Sequence, residues 1–175
     1  MTVEIGSLFS GVGGLDLAVE EIFGGRTIWQ CEADPHASKV LAKRFGVPNL
    51  GDITTVDWSN VRRPDILCGG FPCQDVSAAG LRAGIADGTR SGLWSYFAEA
   101  IDMLRPSYVI IENVKGLLSA KADGGDRGSA FRRVLQDLAE IGYDAAWKVV
   151  GAADAGAPHQ RDRVFILATP ADSDG

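Results

Sequence analysis

The sequence predicts an α/β fold, a mostly parallel sheet with helices on both faces. Short apolar runs alternate with stretches whose apolar residues recur every three or four positions, and glycines cluster where the runs end. Neither an internal repeat nor a domain-sized shift of composition interrupts this alternation. At 175 residues the chain falls within the ~100–200 residues of one domain, so a single core is expected.

The first apolar run, residues 3–9, reads as a strand that ends at Gly11, Gly13 and Gly14. Leu15, Ala18, Val19, Ile22 and Phe23 then give one apolar helical face, stopped by Gly24 and Gly25. A second strand at 27–31 leads to Glu32 and a helix over 33–45, and a weak strand is expected near 50–53. Residues 65–69 form a buried strand entering the loop GGFPCQDVSAAG. The next helix carries Leu93, Phe97, Ile101 and Leu104 on one side, with Pro106 beyond its end. A β-branched strand at 107–111 runs directly into Glu112 and Asn113. After the connection KADGGDRGS, a helix presents Phe131, Val134, Leu135, Leu138 and Ile141, and residues 143–152 and 163–168 close the sheet as a hairpin-like pair. Trp29 and Trp58 are expected to be packing residues.

Composition narrows the class. Apolar residues are 46% and charged residues 23% of the chain, which excludes a disordered polymer. No apolar run approaches the ~18 residues that cross a bilayer, and the opening residues MTVEIGSLFSGVGG carry no basic segment. The three cysteines have neither a disulfide-framework nor a zinc-site spacing, so no metal is expected. A reduced, cytoplasmic setting without a membrane partner follows. The net charge of −6, from 17 Lys plus Arg against 23 Asp plus Glu, opposes strong nonspecific nucleic-acid binding by this chain alone.

Gly11, Gly13 and Gly14 stand at the carboxyl end of a strand, where open α/β sheets bind ligands. A dinucleotide fingerprint would read G-x-G-x-x-G, whereas this chain reads G-V-G-G-L-D. Asp16 therefore occupies the place of the third glycine, where a carboxylate near a pyrophosphate is unfavourable. S-adenosylmethionine has no phosphate and bears a sulfonium charge, so it tolerates acids nearby. Glu32 is placed to accept hydrogen bonds from ribose hydroxyls, and Asp52 to accept one from an adenine amino group. A tight turn flanked by solvated acids is the plain alternative for each residue alone; the ordered trio favours S-adenosylmethionine.

Free cysteine is most often a small buried hydrophobe, and Cys31 and Cys68 read that way. Cys73 differs, because Gly69, Gly70 and Pro72 hold its loop open and Gln74 and Ser77 surround it with polar groups. Glu112 could be an ordinary strand-end acid; its position after an apolar strand, paired with Cys73, makes it a catalytic candidate. Arg161 and Arg163 are expected to alternate along the start of the last strand and point to opposite faces, one into the site and one to backbone. A solvated strand edge is the alternative for that pair.

In order, FSGVGG, GDI, GGFPCQ, IENV and QRDRV resemble the motifs of the DNA cytosine-5 methyltransferase family, over residues 8–168. The resemblance implies a Rossmann-like, S-adenosylmethionine-dependent methyltransferase fold, with the catalytic domain at 1–168 and a frayed polar tail at 169–175. It implies methyl transfer to carbon 5 of a flipped-out cytosine in DNA, in a restriction-modification setting. Cys73 would be the nucleophile at carbon 6 and Glu112 the acid at ring N3. Asn113 would shape the Glu112 turn, and Arg163, supported by Arg161, would contact the cytosine O2 or steady the cysteine loop. Phe9, Ile53 and Leu93 would join Gly11, Gly13, Gly14, Glu32 and Asp52 around the cofactor, with Gln74 and Ser77 toward the substrate.

Family members grip DNA with a smaller, usually basic domain after the QRDRV strand, and a last segment returns beside the first helix. Neither is expected in this sequence, so the fold should be truncated at its C-terminal side. A truncated gene product, half of a split enzyme and an isolated catalytic half are equivalent readings. Each implies an open cofactor site, weak DNA affinity and an exposed apolar patch favouring self-association or a complementing subunit. A noncatalytic S-adenosylmethionine-binding module and an RNA cytosine-5 methyltransferase are the rival functions.

Overall fold

The computed structural model describes residues 2–72, 92–122 and 125–171. Cys73, Gln74 and Ser77 lie outside the described residues, as do residues 172–175 of the expected tail. Six strands form one sheet: β1 (Glu4–Leu8), β2 (Arg26–Cys31), β3 (Ile66–Gly69), β4 (Tyr108–Val114), β5 (Tyr143–Val150) and β6 (Arg163–Pro170). Their spatial order is β2-β1-β3-β4-β6-β5. The pairs β1/β2, β1/β3 and β3/β4 are parallel, while β6 runs antiparallel to both of its neighbours. The expected mostly parallel sheet and closing hairpin-like pair are thus both present. The chain leaves β1 toward β2 and later returns on the other side of β1 to form β3. The crevice between the ends of β1 and β3 is therefore the topological switch point, where ligands of such sheets bind.

Four α-helices connect the described strands: α1 (Gly14–Phe23), α2 (Pro35–Arg44), α3 (Leu93–Leu104) and α4 (Ser129–Ile141). Their ends follow local chemistry. Pro35 opens α2 with the ring-fixed φ of a first helical turn, and the Asp34 carboxylate accepts from the amides of His36 and Ala37. Gly24 ends α1 and Gly142 ends α4, each in the left-handed conformation that lets the cap amide turn back onto the last turn.

The main core lies between the sheet and α3 with α4. Phe97 and Ile101 of α3 and Val134 and Leu138 of α4 are fully buried against Val109, Ile111, Val164 and Ile166. Trp29 and Trp58 join this core with ring centroids 6.0 Å apart, in the packing role expected of them. A smaller cluster, Ile5, Val19, Ile66 and Cys68, lies beneath α1 on the other face.

Several expectations need correction. Of the apolar face assigned to α1 only Val19 is buried; Ala18 is exposed and Ile22 is 75% exposed, because no described element covers that side of the helix. The strand near 50–53 does not form. Asn49 makes an isolated parallel bridge with Gln30, and Asp52 caps a 3-10 turn at Ile53–Thr55, since Gly51 at φ 78° and an Asp that bonds its own chain favour a turn. The fold also continues past residue 168: β6 extends to Pro170, and the Ala171 amide donates to the Gly142 carbonyl at 2.9 Å.

Candidate active site

A cavity of about 520 Å³ opens at the switch point. Its walls come from β1 and the glycine loop (Ser7 to Gly11), the start of α1 (Gly14, Leu15, Asp16, Ala18), the end of β3 (Gly69, Gly70), β4 (Glu112), and β6 with the residues before it (Phe165, Arg161). Backbone crowding requires glycine at position 69 and leaves little space at position 70. A β-carbon at Gly69 would lie 2.5 Å from the Leu8 carbonyl oxygen, and one at Gly70 would lie 3.0 Å from Glu112 Oε2. Phe9 holds φ at 51°, a left-handed conformation costly for a residue with a β-carbon, at the point where the chain leaves β1 for the loop.

Glu112 is carried into this cavity by strand register. It pairs with Phe165 across β4 and β6, and Val114 pairs with Arg163, so all four side chains share one sheet face. Arg163 Nε meets Glu112 Oε1 at 2.7 Å, with the two side chains 22% and 30% exposed. Asn113 points the other way and is buried. Its amide donates to the Phe71 carbonyl at 2.8 Å, and its carbonyl oxygen accepts from the Val114 amide at 2.9 Å. Asn113 thus ties the end of β4 to the loop two residues before position 73; Glu112 itself stands within β4, so the expected turn at Glu112 is strand.

The expected opposition of Arg161 and Arg163 is wrong. Residues two apart in a strand face the same side, and Arg161 precedes β6 with φ 75°. Arg161 lines the same cavity in which Arg163 holds Glu112.

The expected cofactor residues divide. Phe9, Gly11 and Gly14 line the cavity. Gly13 is buried at the start of α1, where an added β-carbon would lie 2.3 Å from the Phe45 ring. Glu32 lies at the loop without lining the cavity; its carboxylate accepts from the Gly11 amide at 2.7 Å and the Asp34 amide at 2.8 Å. Asp52 is exposed, and the amide and hydroxyl of Thr54 that bond its carboxylate hold its pKa below the ordinary value. Ile53 belongs to the main core, and Leu93 packs half-buried against it; neither lines the cavity.

Cys31 and Cys68 are buried, as the sequence suggests. Burial pushes the Cys31 thiol up to about 12, aided by repulsion from Asp52 and Glu32, and raises Cys68 as well. Sequence reasoning missed Ser7, Ser10 and Phe165 as wall residues. The available signal was the polar serines inside and just after an otherwise apolar run.

A family described as C-5 cytosine-specific DNA methylase matches residues 3–174. The type II methyltransferase M.NgoBI of Neisseria gonorrhoeae is 38% identical over 160 residues, covering 91% of this chain and 48% of its own length. M.DsaV of Dactylococcopsis salina is 34% identical over 160 residues, covering 91% and 44%. A crystal structure of a Spodoptera frugiperda DNMT2 mutant superposes with a TM-score of 0.77 over 99% of this chain and 51% of its own, at 20% identity, a likeness of fold. The chain spans less than half the length of these two curated relatives. With a family match over nearly every residue, and the switch-point cavity where such a fold needs it, the chain belongs to the C-5 cytosine-specific DNA methylases.

Proposed function

We propose that this chain is the catalytic portion of an enzyme that methylates carbon 5 of cytosine in DNA, with S-adenosylmethionine as donor. The observation that carries the reading is the convergence of Glu112, ion-paired to Arg163, and the glycine-crowded ends of β1 and β3 on one cavity. The donor fits that cavity. Gly11 and Gly14 face open space that any β-carbon would enter, and Leu8, Phe9 and Leu15 beside them give an apolar wall suited to a ligand without phosphate. Phe9, Gly11 and Gly14 would hold it, with Glu32 fixing the loop through the Gly11 amide. When bound, the donor supplies an electrophilic methyl group.

The chain's own residues prepare the base. Cys73, as thiolate, adds to carbon 6 of cytosine, and Glu112 gives a proton or hydrogen bond at ring N3 as negative charge develops. The electron pair then resides at carbon 5, making that carbon nucleophilic. Arg163 orients the Glu112 carboxyl group, and Asn113 holds the loop before Cys73 against the end of β4. Methyl transfer would leave the donor as a neutral thioether; the carbon 5 proton then passes to water, the N3 proton returns to Glu112, and the thiolate is expelled, restoring the ring and the free cysteine. By the family resemblance, Gln74 and Ser77 would contact the substrate.

Among the described residues no helix is long and apolar enough to cross a membrane, and a cytoplasmic location is part of the same reading. Self-association, or pairing with a complementing polypeptide, would occur through the bare side of α1 and the uncovered sheet face beside it, where Phe23, Ile110 and Leu167 line one cleft. Transfer of labelled methyl groups to duplex DNA and to tRNA tests the function, using the chain alone and mixed with a polypeptide covering the rest of a curated relative. Labelling of duplex DNA, reduced about 10²–10⁴-fold by Glu112→Gln, is expected. Labelling of tRNA alone would transfer the reading to RNA.

A further inference from the structure

Asp16 is fully buried, yet it lines the cavity. Its two oxygens are each taken by a neutral donor from a different strand: Ser7 Oγ donates to Oδ2 at 3.0 Å and Gln30 Nε2 to Oδ1 at 2.6 Å. Ser10 Oγ extends the network by donating to Ser7 Oγ at 2.8 Å. No cationic side chain pairs with Asp16 among the described residues, and the charged side chain that acts on it is another carboxylate, Glu20. Asp16 also sits in the first turn of α1, whose amides would otherwise attract an anionic ligand.

We propose that Asp16 is a specificity-determining residue, an anionic wall that favours the positively charged end of the methyl donor and repels ligands bearing phosphate. A buried carboxylate without a counter-ion acts through a medium of low dielectric, where a ligand cation is attracted far more strongly than in water. The helix terminus that welcomes pyrophosphate in dinucleotide-binding proteins is here filled by the protein's own carboxylate. The inference rests on the cofactor reading above.

Binding of S-adenosylmethionine and of 5′-methylthioadenosine, its neutral fragment, is measured by calorimetry for the parent chain and for Asp16→Asn. The asparagine keeps the shape and can bond both Ser7 and Gln30 while losing the charge. The expected result is about ten-fold weaker S-adenosylmethionine binding with 5′-methylthioadenosine unchanged. Gln30→Lys, which sets an ammonium beside Asp16, should reduce the same preference and serves if Asp16→Asn does not fold. Equal weakening of both ligands, or no change in either, would assign Asp16 to loop packing and overturn the proposal. A parent chain that binds neither ligand would overturn the cofactor reading and this inference together.

Discussion

Alternate residues of the same two strands meet opposite fates. On the face toward α3 and α4, Val109, Ile111, Val164, Ile166 and Ala168 have no exposure at all. On the other face, Tyr108 and Leu167 are 40% and 44% exposed. Both faces are apolar, so hydrophobicity alone does not set the difference; the presence of a covering helix does. The bare face runs without interruption into the site. Leu167, Phe165 and Arg163 follow one another along β6, beside Ile110 and Glu112 of β4, and the row turns from apolar to charged where the cavity begins. One face holds the fold together, and the other presents the chemistry.

Breaking the covered face should have the largest effect. Ile111→Ala is expected to cost about 2–5 kcal/mol in denaturant unfolding, whereas Leu167→Ala on the same sheet should stay within about 0.5 kcal/mol. Similar losses at both positions would mean that something covers the bare face in solution. Asn113→Ala, which leaves the buried Phe71 carbonyl without its donor, should cost about 1–3 kcal/mol by the same measurement.

A smaller effect sharpens the comparison at the boundary of the two regions. Burial raises the Asp16 carboxyl group above its ordinary 3.8, so the folded chain keeps this proton to higher pH than the unfolded chain does. The stability linked to that proton is complete below the unfolded value and is lost as pH rises through the folded one. Asp16→Asn has no such loss, so its stability relative to the parent should increase from about pH 4 toward neutrality. A constant difference across that range would show that Asp16 titrates alike in both states. The smallest expected effect is on association: Leu167→Lys should weaken concentration-dependent self-association in sedimentation velocity, and unchanged behaviour would place the contact elsewhere.

Much of this architecture was legible because strand runs and helical spacings are local. Glycine clusters marked both strand ends at the switch point, and IENV marked the strand that delivers Glu112. What the sequence obscured depends on partners far along the chain. Leu15, Ala18 and Ile22 have helical spacing whether or not anything covers them, so α1 read as more buried than it is. Glu32 and Asp52 read as acceptors for ribose and adenine, and that neighbouring amides also bond their carboxylates depends on loop geometry that spacing does not encode. Arg163 reaches Glu112 because β6 lies beside β4, a pairing that spacing along the chain does not encode. Asp16 looked only like an obstacle to pyrophosphate, and its bonds to Ser7 and Gln30 come from two other strands.

The central claim is that Cys73 attacks a cytosine ring that Glu112 activates. Duplex DNA containing 5-fluorocytosine, which blocks the final loss of the carbon 5 substituent, tests it directly when incubated with S-adenosylmethionine, this chain and the remaining length of a relative. Mass spectrometry of the digested protein should find the DNA attached at Cys73, with no adduct for Cys73→Ser and formation about 10²–10⁴-fold slower for Glu112→Gln. An adduct on another residue, or none with the parent chain, would contradict the account.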